Sequence, residues 1–215
     1  MASAVIHICV AKKLGEKINK NTRDYYLGSI APDISKEIGE TKYESHFLKD
    51  SIKSNVPNIN LFLEKYKNDL KNDFTLGYFV HLYTDKIWFD HFIENFVVNS
   101  TVRLMDGTFL NCNEDDIVSI VYNDYTNINI DLIDKYELDL SLFYEEFEKP
   151  ITSINEIPID QLDVLIDKMG IIIANSKLEK KYLFDMEDIN RFIDDSVEKI
   201  YNYIIENGLQ EDYHE

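Results

Sequence analysis

The sequence predicts an all-α protein, a multi-helix bundle arranged around one buried central helix over residues 73–99. Apolar side chains surround that segment on nearly every face, and it contains no proline, which is typical of a helix inside a core. Elsewhere, apolar residues recur at helical spacing in several further segments. With 215 residues, of which 45% are hydrophobic, the chain is long enough to bury a core as a single domain.

In the first half, the apolar pattern predicts a helix over residues 3–19, although its first apolar residues alone would also fit a strand. Residues 21–45 mix glycine, proline and polar side chains, and we expect them to be loop-like. Residues 46–53 are predicted to form a short helix. Pro57 fits the start of another helix, which runs to about Leu70.

The second half is predicted to contain four amphipathic helices. Their ranges are 114–126, 129–148, 159–176 and 186–207. Asp185 fits a helix start and Gly208 a helix stop. A turn-like stretch at 105–108 separates a first half, 1–99, from a second half, 108–215. We expect the helices of the second half to cover the first half, which carries the candidate functional residues.

The chain is strongly acidic, with 40 Asp and Glu against 22 Lys and Arg and a net charge of -18. This charge repels nucleic-acid phosphates, so no nucleic-acid partner is expected. No stretch reaches the roughly 18 apolar residues that a membrane-spanning helix needs. The N-terminal apolar run precedes its basic pair, the reverse of a secretory signal, and two distant cysteines fit free thiols. We therefore expect a cytoplasmic protein.

Histidines are concentrated in the first half, and their neighbours make them candidate metal ligands. His81 and Asp85 are four residues apart on the predicted central helix, so both can reach one ion. A buried, uncompensated carboxylate costs several kcal/mol, and a divalent metal would offset that cost. The alternatives are a His–Asp hydrogen bond within the core, or an ion pair of Asp85 with Lys86 or another cation.

Three more residues fit either a structural or a metal-binding role. His7 lies on the apolar first helix, and it fits either an ordinary core histidine or a ligand; the same two interpretations hold for His46. Asp33 fits either a turn or helix cap, or a carboxylate held near the ion. Taken together, three histidines and two aspartates match the ligands of zinc, or of iron or manganese at a mixed nitrogen and oxygen site.

The predicted central helix carries three weaker candidates. His91 is ten residues beyond His81, about 15 Å along a helix axis, so it fits either a polar residue at the helix end or a ligand of a separate metal. Trp88 fits core packing or the lining of a substrate pocket. Lys86 points about 100° away from Asp85 on the helix, and it is a candidate contact for a substrate phosphate.

The order of these residues is specific. His7 is followed by Gly28-Ser29-Ile30-Ala31-Pro32-Asp33, then by Ser45-His46-Phe47, and then by Gly77-Tyr78-Phe79-Val80-His81-Leu82-Tyr83-Thr84-Asp85. Over about residues 1–95, the Gly-x-x-x-Pro-Asp loop, the Gly-Tyr-x-x-His-x-x-x-Asp helix and the spacing to His91 resemble the zinc-dependent phospholipase C family. That family is similar in fold and metal site to the single-strand-specific zinc nucleases.

The resemblance implies an all-α, phospholipase C/nuclease-like bundle with closely spaced zinc ions. The implied ligands of a zinc pair are His7, Asp33, His46, His81 and Asp85, with His91 serving a further metal. Such metals generate hydroxide from water and stabilise a phosphoryl transition state. Asp33 is then the candidate catalytic residue, which orients or deprotonates the water or bridges the metals. The N-terminal Trp and the His-x-x-x-Glu pair of the three-metal relatives are missing, so we expect one or two ions.

These observations predict a metal-dependent hydrolase of phosphoric esters, a phosphodiesterase or a phospholipase C-like enzyme. Its expected substrate is a small phosphoester or a phospholipid-like molecule. The alternative is a non-catalytic binding or scaffold protein that contains a metal, because the ligands of a third site are missing. A third hypothesis is a protein without metal, in which Asp85 pairs with a protein cation. The sequence does not indicate the oligomeric state.

Overall fold

The protein is mainly helical, as the sequence predicts. The structure is a computed structural model, and it describes residues 2–51, 53, 55–145, 148–176 and 183–209. The helices are α1 (Ala4–Ile18), α2 (Arg23–Ile30), α3 (Ile34–Glu37), α4 (Ile59–Tyr66), α5 (Asp73–Ile87), α6 (Glu114–Lys135), α7 (Leu162–Ala174) and α8 (Met186–Glu206). Short 3-10 turns lie at Ala31–Asp33, Lys67–Asp69, Ile93–Asn95, Ser141–Phe143 and Ile159–Gln161. The all-α fold class is therefore confirmed.

A small antiparallel sheet, which the sequence analysis missed, lies between the halves. Its strands are β1 (Val97–Val98), β2 (Thr101–Arg103) and β3 (Phe109–Asn111), in the order β1-β2-β3. Strands of two or three residues are too short to show an alternating pattern, so the sequence carried little signal for them. The predicted turn at 105–108 joins β2 to β3, and the Asp106 carboxylate accepts a hydrogen bond from the Thr108 amide at 2.9 Å.

The central helix is shorter than predicted, because regular α-helix ends at Ile87 rather than near residue 99. A π-helical turn, Trp88–Phe92, follows it. The side-chain amide of Asn95 then donates to the carbonyl oxygen of His91 at 2.9 Å, which satisfies a backbone group at the end of the helix. The β-branched residues Val97–Val98 continue into the sheet instead of the helix.

The expectation of loop over residues 21–45 is wrong, because α2 and α3 occupy much of that stretch. The Thr22 hydroxyl caps α2 by accepting from the Tyr25 amide at 3.3 Å. Gly28 looked like a helix breaker, but it lies inside α2 where that helix meets α5. A Cβ added at Gly28 would lie 2.1 Å from the Phe74 carbonyl oxygen.

The contact between α2 and α5 is backbone against backbone on both sides. A Cβ added at Gly77 of α5 would lie 2.0 Å from the Tyr25 carbonyl oxygen of α2. No real Cβ comes that close, so both glycines are required for this approach. The close approach brings the end of α2, and with it Asp33, next to the part of α5 that carries His81.

The structure also differs from the predicted short helix at 46–53 and from the predicted division between 114–126 and 129–148. The described residues of 46–53 form turns, with Phe47 and Asp50 at positive φ values of 52° and 54°. The segments 114–126 and 129–148 were expected as separate helices, but α6 runs without a break from Glu114 to Lys135. Asn127 and Asn129, at the expected break, are both buried within this one helix. Residues 146 and 147 of the second segment lie outside the described residues.

The remaining helices follow the predictions closely. Ser3 caps α1 and Asp185 caps α8, each through its side-chain oxygen. The helix α1 packs against α2, α5, α6 and α8, and α7 packs against α3. Helices of the second half thus contact helices of the first half. Among the described residues, none of the helices is long and apolar enough to cross a membrane.

Candidate metal centre

Five buried polar side chains converge at one point of the core. They are His7 of α1, Asp33 at the end of the Ala31–Asp33 turn, His46 of the loop before α4, and His81 and Asp85 of α5. Asp33 is the most exposed of them, at 6%. The sequence places His81 and Asp85 together through helical spacing, and the packing of α1 and α2 on α5 adds the others.

Asp85 is the carboxylate on the α1 side of the centre. Its Oδ1 atom lies 3.3 Å from the Nε2 atom of His7, and its Oδ2 atom lies 3.6 Å from Nε2 of His46. The Oδ2 atom is also 3.9 Å from Nε2 of His81. The backbone amide of Ala2 donates to Oδ1 at 3.1 Å, which holds the carboxylate in this orientation.

Asp33 is the second carboxylate, on the α2 side. Its Oδ1 atom lies 3.3 Å from Nε2 of His46 and 3.9 Å from Nε2 of His81. Two groups of three ligand atoms have all members within 4.8 Å of one another. These groups are His7, Asp33 and His81 in one case, and His46, His81 and Asp85 in the other.

The hydrogen bonds behind the imidazoles determine which ring nitrogens face the centre. Nδ1 of His81 lies 2.8 Å from the carbonyl oxygen of Ser29, which can only accept, so Nδ1 carries the proton and Nε2 presents a lone pair. Nδ1 of His46 lies 3.0 Å from the Ser45 hydroxyl. Such contacts orient metal-binding histidines in many proteins.

An unpaired carboxylate oxygen, an unpaired imidazole and one close pair of nitrogens fit a bound cation. Within the described part of the chain, Asp85 Oδ2 and both ring nitrogens of His7 are buried without a hydrogen-bond partner, and one of those nitrogens can serve an ion. Buried polar atoms are nearly always paired, so Asp85 and His7 fit ligand positions. The Nε2 atoms of His46 and His81 lie 3.3 Å apart, and two nitrogen ligands of a tetrahedral zinc ion are separated by about this distance.

The protonation states also suit metal binding. Burial by itself raises the pKa of Asp33, but the Lys42 ammonium and the hydrogen bond from His46 outweigh it and lower that pKa well below its ordinary value. Burial also raises the pKa of Asp85, and its contacts with His7 and His81 reverse the shift. Burial lowers the pKa of both His46 and His81. Asp33 and Asp85 are therefore ionised, and His46 and His81 are neutral, which are the forms that bind metals.

Lys42 is a residue of this site that the sequence analysis missed. Its Nζ atom donates to Oδ1 of Asp33 at 3.2 Å, and its side chain is 24% exposed. Burial lowers the pKa of Lys42, but the charge of Asp33 more than compensates, so the pKa is raised overall. A lysine in a stretch expected to be loop, nine residues after Asp33, gave no signal that could have identified it.

A narrow cavity of about 60 Å³ reaches the centre at Asp33. One wall comes from α1 and α7, where Val5, Leu165 and Met169 present apolar surface. Polar groups at this cavity include Lys36, whose ammonium lies 3.9 Å from the centre of the Tyr122 ring, as well as Glu37, Asn129 and Lys168. The helices α6 and α7 therefore shape the approach to the candidate metal centre.

Three sequence-predicted residues lie away from this centre. His91 is exposed on the π-helical turn and belongs to neither group of converging ligand atoms. Lys86 pairs with Asp90 and lines a surface groove with Tyr83. Trp88 is buried against aromatic rings of the core; these rings are Phe92, Phe184 and Phe192. The fifth histidine, His214, lies outside the described residues.

A helical fold with a buried centre of three imidazoles and two carboxylates defines a class of candidate metalloproteins. A family profile described as zinc dependent phospholipase C matches residues 3–208 of this chain, which is nearly its whole length. The chain therefore belongs to the zinc-dependent phospholipase C family, and the resemblance seen over about residues 1–95 extends into the second half. Searches of curated proteins and of solved structures each gave no match.

Proposed function

We propose that the protein is a zinc-dependent hydrolase of phosphoric esters, a phosphodiesterase or phospholipase C-like enzyme. The observation that carries the proposal is the meeting of three imidazoles and two carboxylates at one buried point, in a member of this family. Its substrate is a small phosphoester or a phospholipid-like molecule. The net charge of -18 argues against a nucleic-acid substrate.

The ligand geometry supports one or two ions. His7, Asp33, His46, His81 and Asp85 would supply the ligands of one ion, or of two ions that share a carboxylate, because the single lone pair on Nε2 of His81 can bind only one metal. Zinc is the metal of the family, and iron or manganese also accepts such ligands. When bound, the metal supplies a hydroxide from water near neutral pH and positive charge for the phosphoryl oxygens.

The protein's own groups then position the reactants. Asp33 is the one candidate ligand that also lines the cavity, so it is the carboxylate nearest an entering substrate. It is the candidate to orient the attacking water or take its proton, or to bridge two metals. The burial of His7, His81 and Asp85 excludes bulk water, which strengthens the electrostatic interactions within the site.

Turnover by metal-loaded protein tests this proposal. Purified protein is stripped with a chelator, reloaded with zinc, iron or manganese, and assayed on chromogenic phosphodiesters, phosphomonoesters and short-chain phospholipids. We expect hydrolysis that depends on metal and is abolished in Asp85→Asn. Absence of turnover on all substrates, with the metal content shown to be complete, would contradict a hydrolase.

A non-catalytic metal-binding or scaffold role is the second candidate, and the small cavity favours it. Its volume of about 60 Å³ is below the roughly 300 Å³ of common ligand pockets, so a closed metal would fit this site. Cobalt substitution separates the two functions. An absorption spectrum that changes when phosphate is added indicates an open coordination position, whereas an unchanged spectrum supports the closed, non-catalytic site. The cytoplasmic location and single-domain organisation stay predictions.

A further inference from the structure

Positive charge is concentrated around Asp33, in a chain whose net charge is -18. Lys42 is paired with Asp33 at the metal centre. Lys36 of α3 and Lys168 of α7 line the cavity that Asp33 borders, and Glu37 lies there as an acidic neighbour. If Asp33 shares its charge with a metal ion, Lys42 beside it and the two lysines of the cavity leave this end of the centre with more positive than negative side chains.

Lys42 has unused hydrogen-bonding capacity at this point. An ammonium group has three N–H donors, and among the described residues Asp33 is the acceptor that the Lys42 Nζ atom reaches. The Nζ atom of Lys42 therefore has N–H donors left for the anionic oxygens of a ligand. Lysine is a common phosphate-binding residue, because its ammonium is a compact point charge.

The rest of the cavity is suited to hydrocarbon. Val5, Leu165 and Met169 line it, and Ile172 and Ile173 extend the apolar wall along α7. Because the cavity is small, about 60 Å³, a ligand would have its anionic end at Asp33, and an apolar tail would run out of the cavity along α7. A cationic head group would lie near the three lysines and would be repelled by them.

We propose that Lys42 contacts the non-bridging oxygens of the substrate phosphate and that Lys36 and Lys168 determine which head group is accepted. The preferred substrates are phosphodiesters with apolar tails and an anionic or uncharged head group. Phosphodiesters with a zwitterionic head group are disfavoured. This inference rests on the proposed function and names its substrate class. Lys42 is a substrate-binding residue in this view, and Lys36 and Lys168 determine specificity.

The binding test uses inorganic phosphate as the probe and isothermal calorimetry as the readout on the zinc-loaded protein. Lys42→Met is expected to weaken phosphate binding about 10-fold, the effect of losing one charge-assisted hydrogen bond, with zinc content unchanged by mass spectrometry. Lys42→Arg keeps the charge and should stay within about threefold of the wild type. Lys49→Met, at an exposed position of the same loop, is the matched control and should bind phosphate like the wild type.

The specificity test compares dihexanoyl-phosphatidylglycerol with dihexanoyl-phosphatidylcholine. In the wild type, we expect kcat/KM to be at least about 10-fold higher for the phosphatidylglycerol substrate. In each of Lys36→Met and Lys168→Met, this ratio should fall roughly threefold. Both lysines are exposed, so the substitutions should be tolerated. Equal or better hydrolysis of phosphatidylcholine would overturn the selectivity.

Failure of this inference can be told apart from failure of the proposed function. If no ester is hydrolysed by any metal-loaded form, the hydrolase proposal fails, while the phosphate affinities still decide the role of Lys42. Unchanged phosphate affinity in Lys42→Met overturns that role. Loss of zinc from Lys42→Met also overturns it, because Lys42 would then act by holding Asp33. If Lys42→Met does not fold, the ratio of kcat/KM values for the two phospholipids, measured in Lys36→Met and Lys168→Met, still decides the selectivity.

Discussion

The imidazole rings of His7 and His81 are stacked, with their centroids 3.8 Å apart and their planes inclined by 12°. One ring belongs to α1 and the other to α5, so the stack fixes the distance between these two helices at the candidate metal centre. Two imidazolium ions would repel each other in this arrangement, and burial together with the charge of His7 lowers the pKa of His81 well below its ordinary value. The stack therefore favours the neutral, metal-binding form of His81.

Asp85→Asn tests whether this centre holds a metal. The amide keeps the shape of the side chain but removes the charge that offsets a divalent ion, so zinc affinity should fall at least about 10- to 100-fold. Mass spectrometry of protein purified without chelator measures the zinc content. Asp90→Asn, at a half-buried position near the end of the same helix, is the control and should retain zinc. Equal zinc content in both variants would remove Asp85 from the ligand set.

Ser45→Ala tests the support behind a ligand. It removes the hydroxyl that lies 3.0 Å from Nδ1 of His46, and loss of such a contact commonly lowers metal affinity about 10- to 100-fold. Competition with a coloured zinc chelator measures the affinity. Ser29→Ala is a close control, because His81 contacts the backbone carbonyl of Ser29, which alanine retains. A larger loss in Ser29→Ala than in Ser45→Ala would contradict this assignment of contacts.

Gly77→Ala tests the contact between α2 and α5. The new methyl group would meet the Tyr25 carbonyl oxygen, which belongs to backbone and cannot rotate away, so we expect destabilisation of about 1–3 kcal/mol or more. For a chain of this size, the melting temperature should fall roughly 2–4 °C per kcal/mol.

The matched control for that variant is Gly170→Ala in α7. Its new methyl group would meet only the end of the Tyr144 side chain, which can move. Alanine also has the higher helix propensity by about 1 kcal/mol, so this control should melt at or slightly above the wild-type temperature. Differential scanning calorimetry compares the two, and equal melting temperatures would mean that the α2–α5 contact is looser than described.

Thiol labelling tests the burial of Cys9 in α1. Its thiol is buried on α1, and burial raises its pKa, so it stays protonated and unreactive. Cys112 is only half-buried. A colorimetric disulfide reagent should therefore react with one thiol per native chain, and Cys112→Ser should show no reaction until denaturant is added. Rapid reaction of native Cys112→Ser would place Cys9 in an accessible site.

Helical spacing allowed much of this fold to be predicted from the sequence. The bounds of α1 and α8 follow from Ser3 and Asp185 as caps and from the apolar period of each segment. The pairing of His81 with Asp85 follows from four-residue spacing on α5 in the same way. All of these features depend on residues that are near one another along the chain.

The sequence by itself thus determined the helical class, the identity of the candidate ligands and the family resemblance, because each is encoded in local spacing or in the order of short motifs. Only the tertiary structure decided that α2 is a helix whose Gly28 packs against α5, and that Lys42 contacts Asp33. It also showed that His91 is exposed on the π-helical turn Trp88–Phe92 and belongs to neither group of converging ligand atoms. Contacts between segments far apart along the chain depend on packing, and single-sequence periodicity does not record packing.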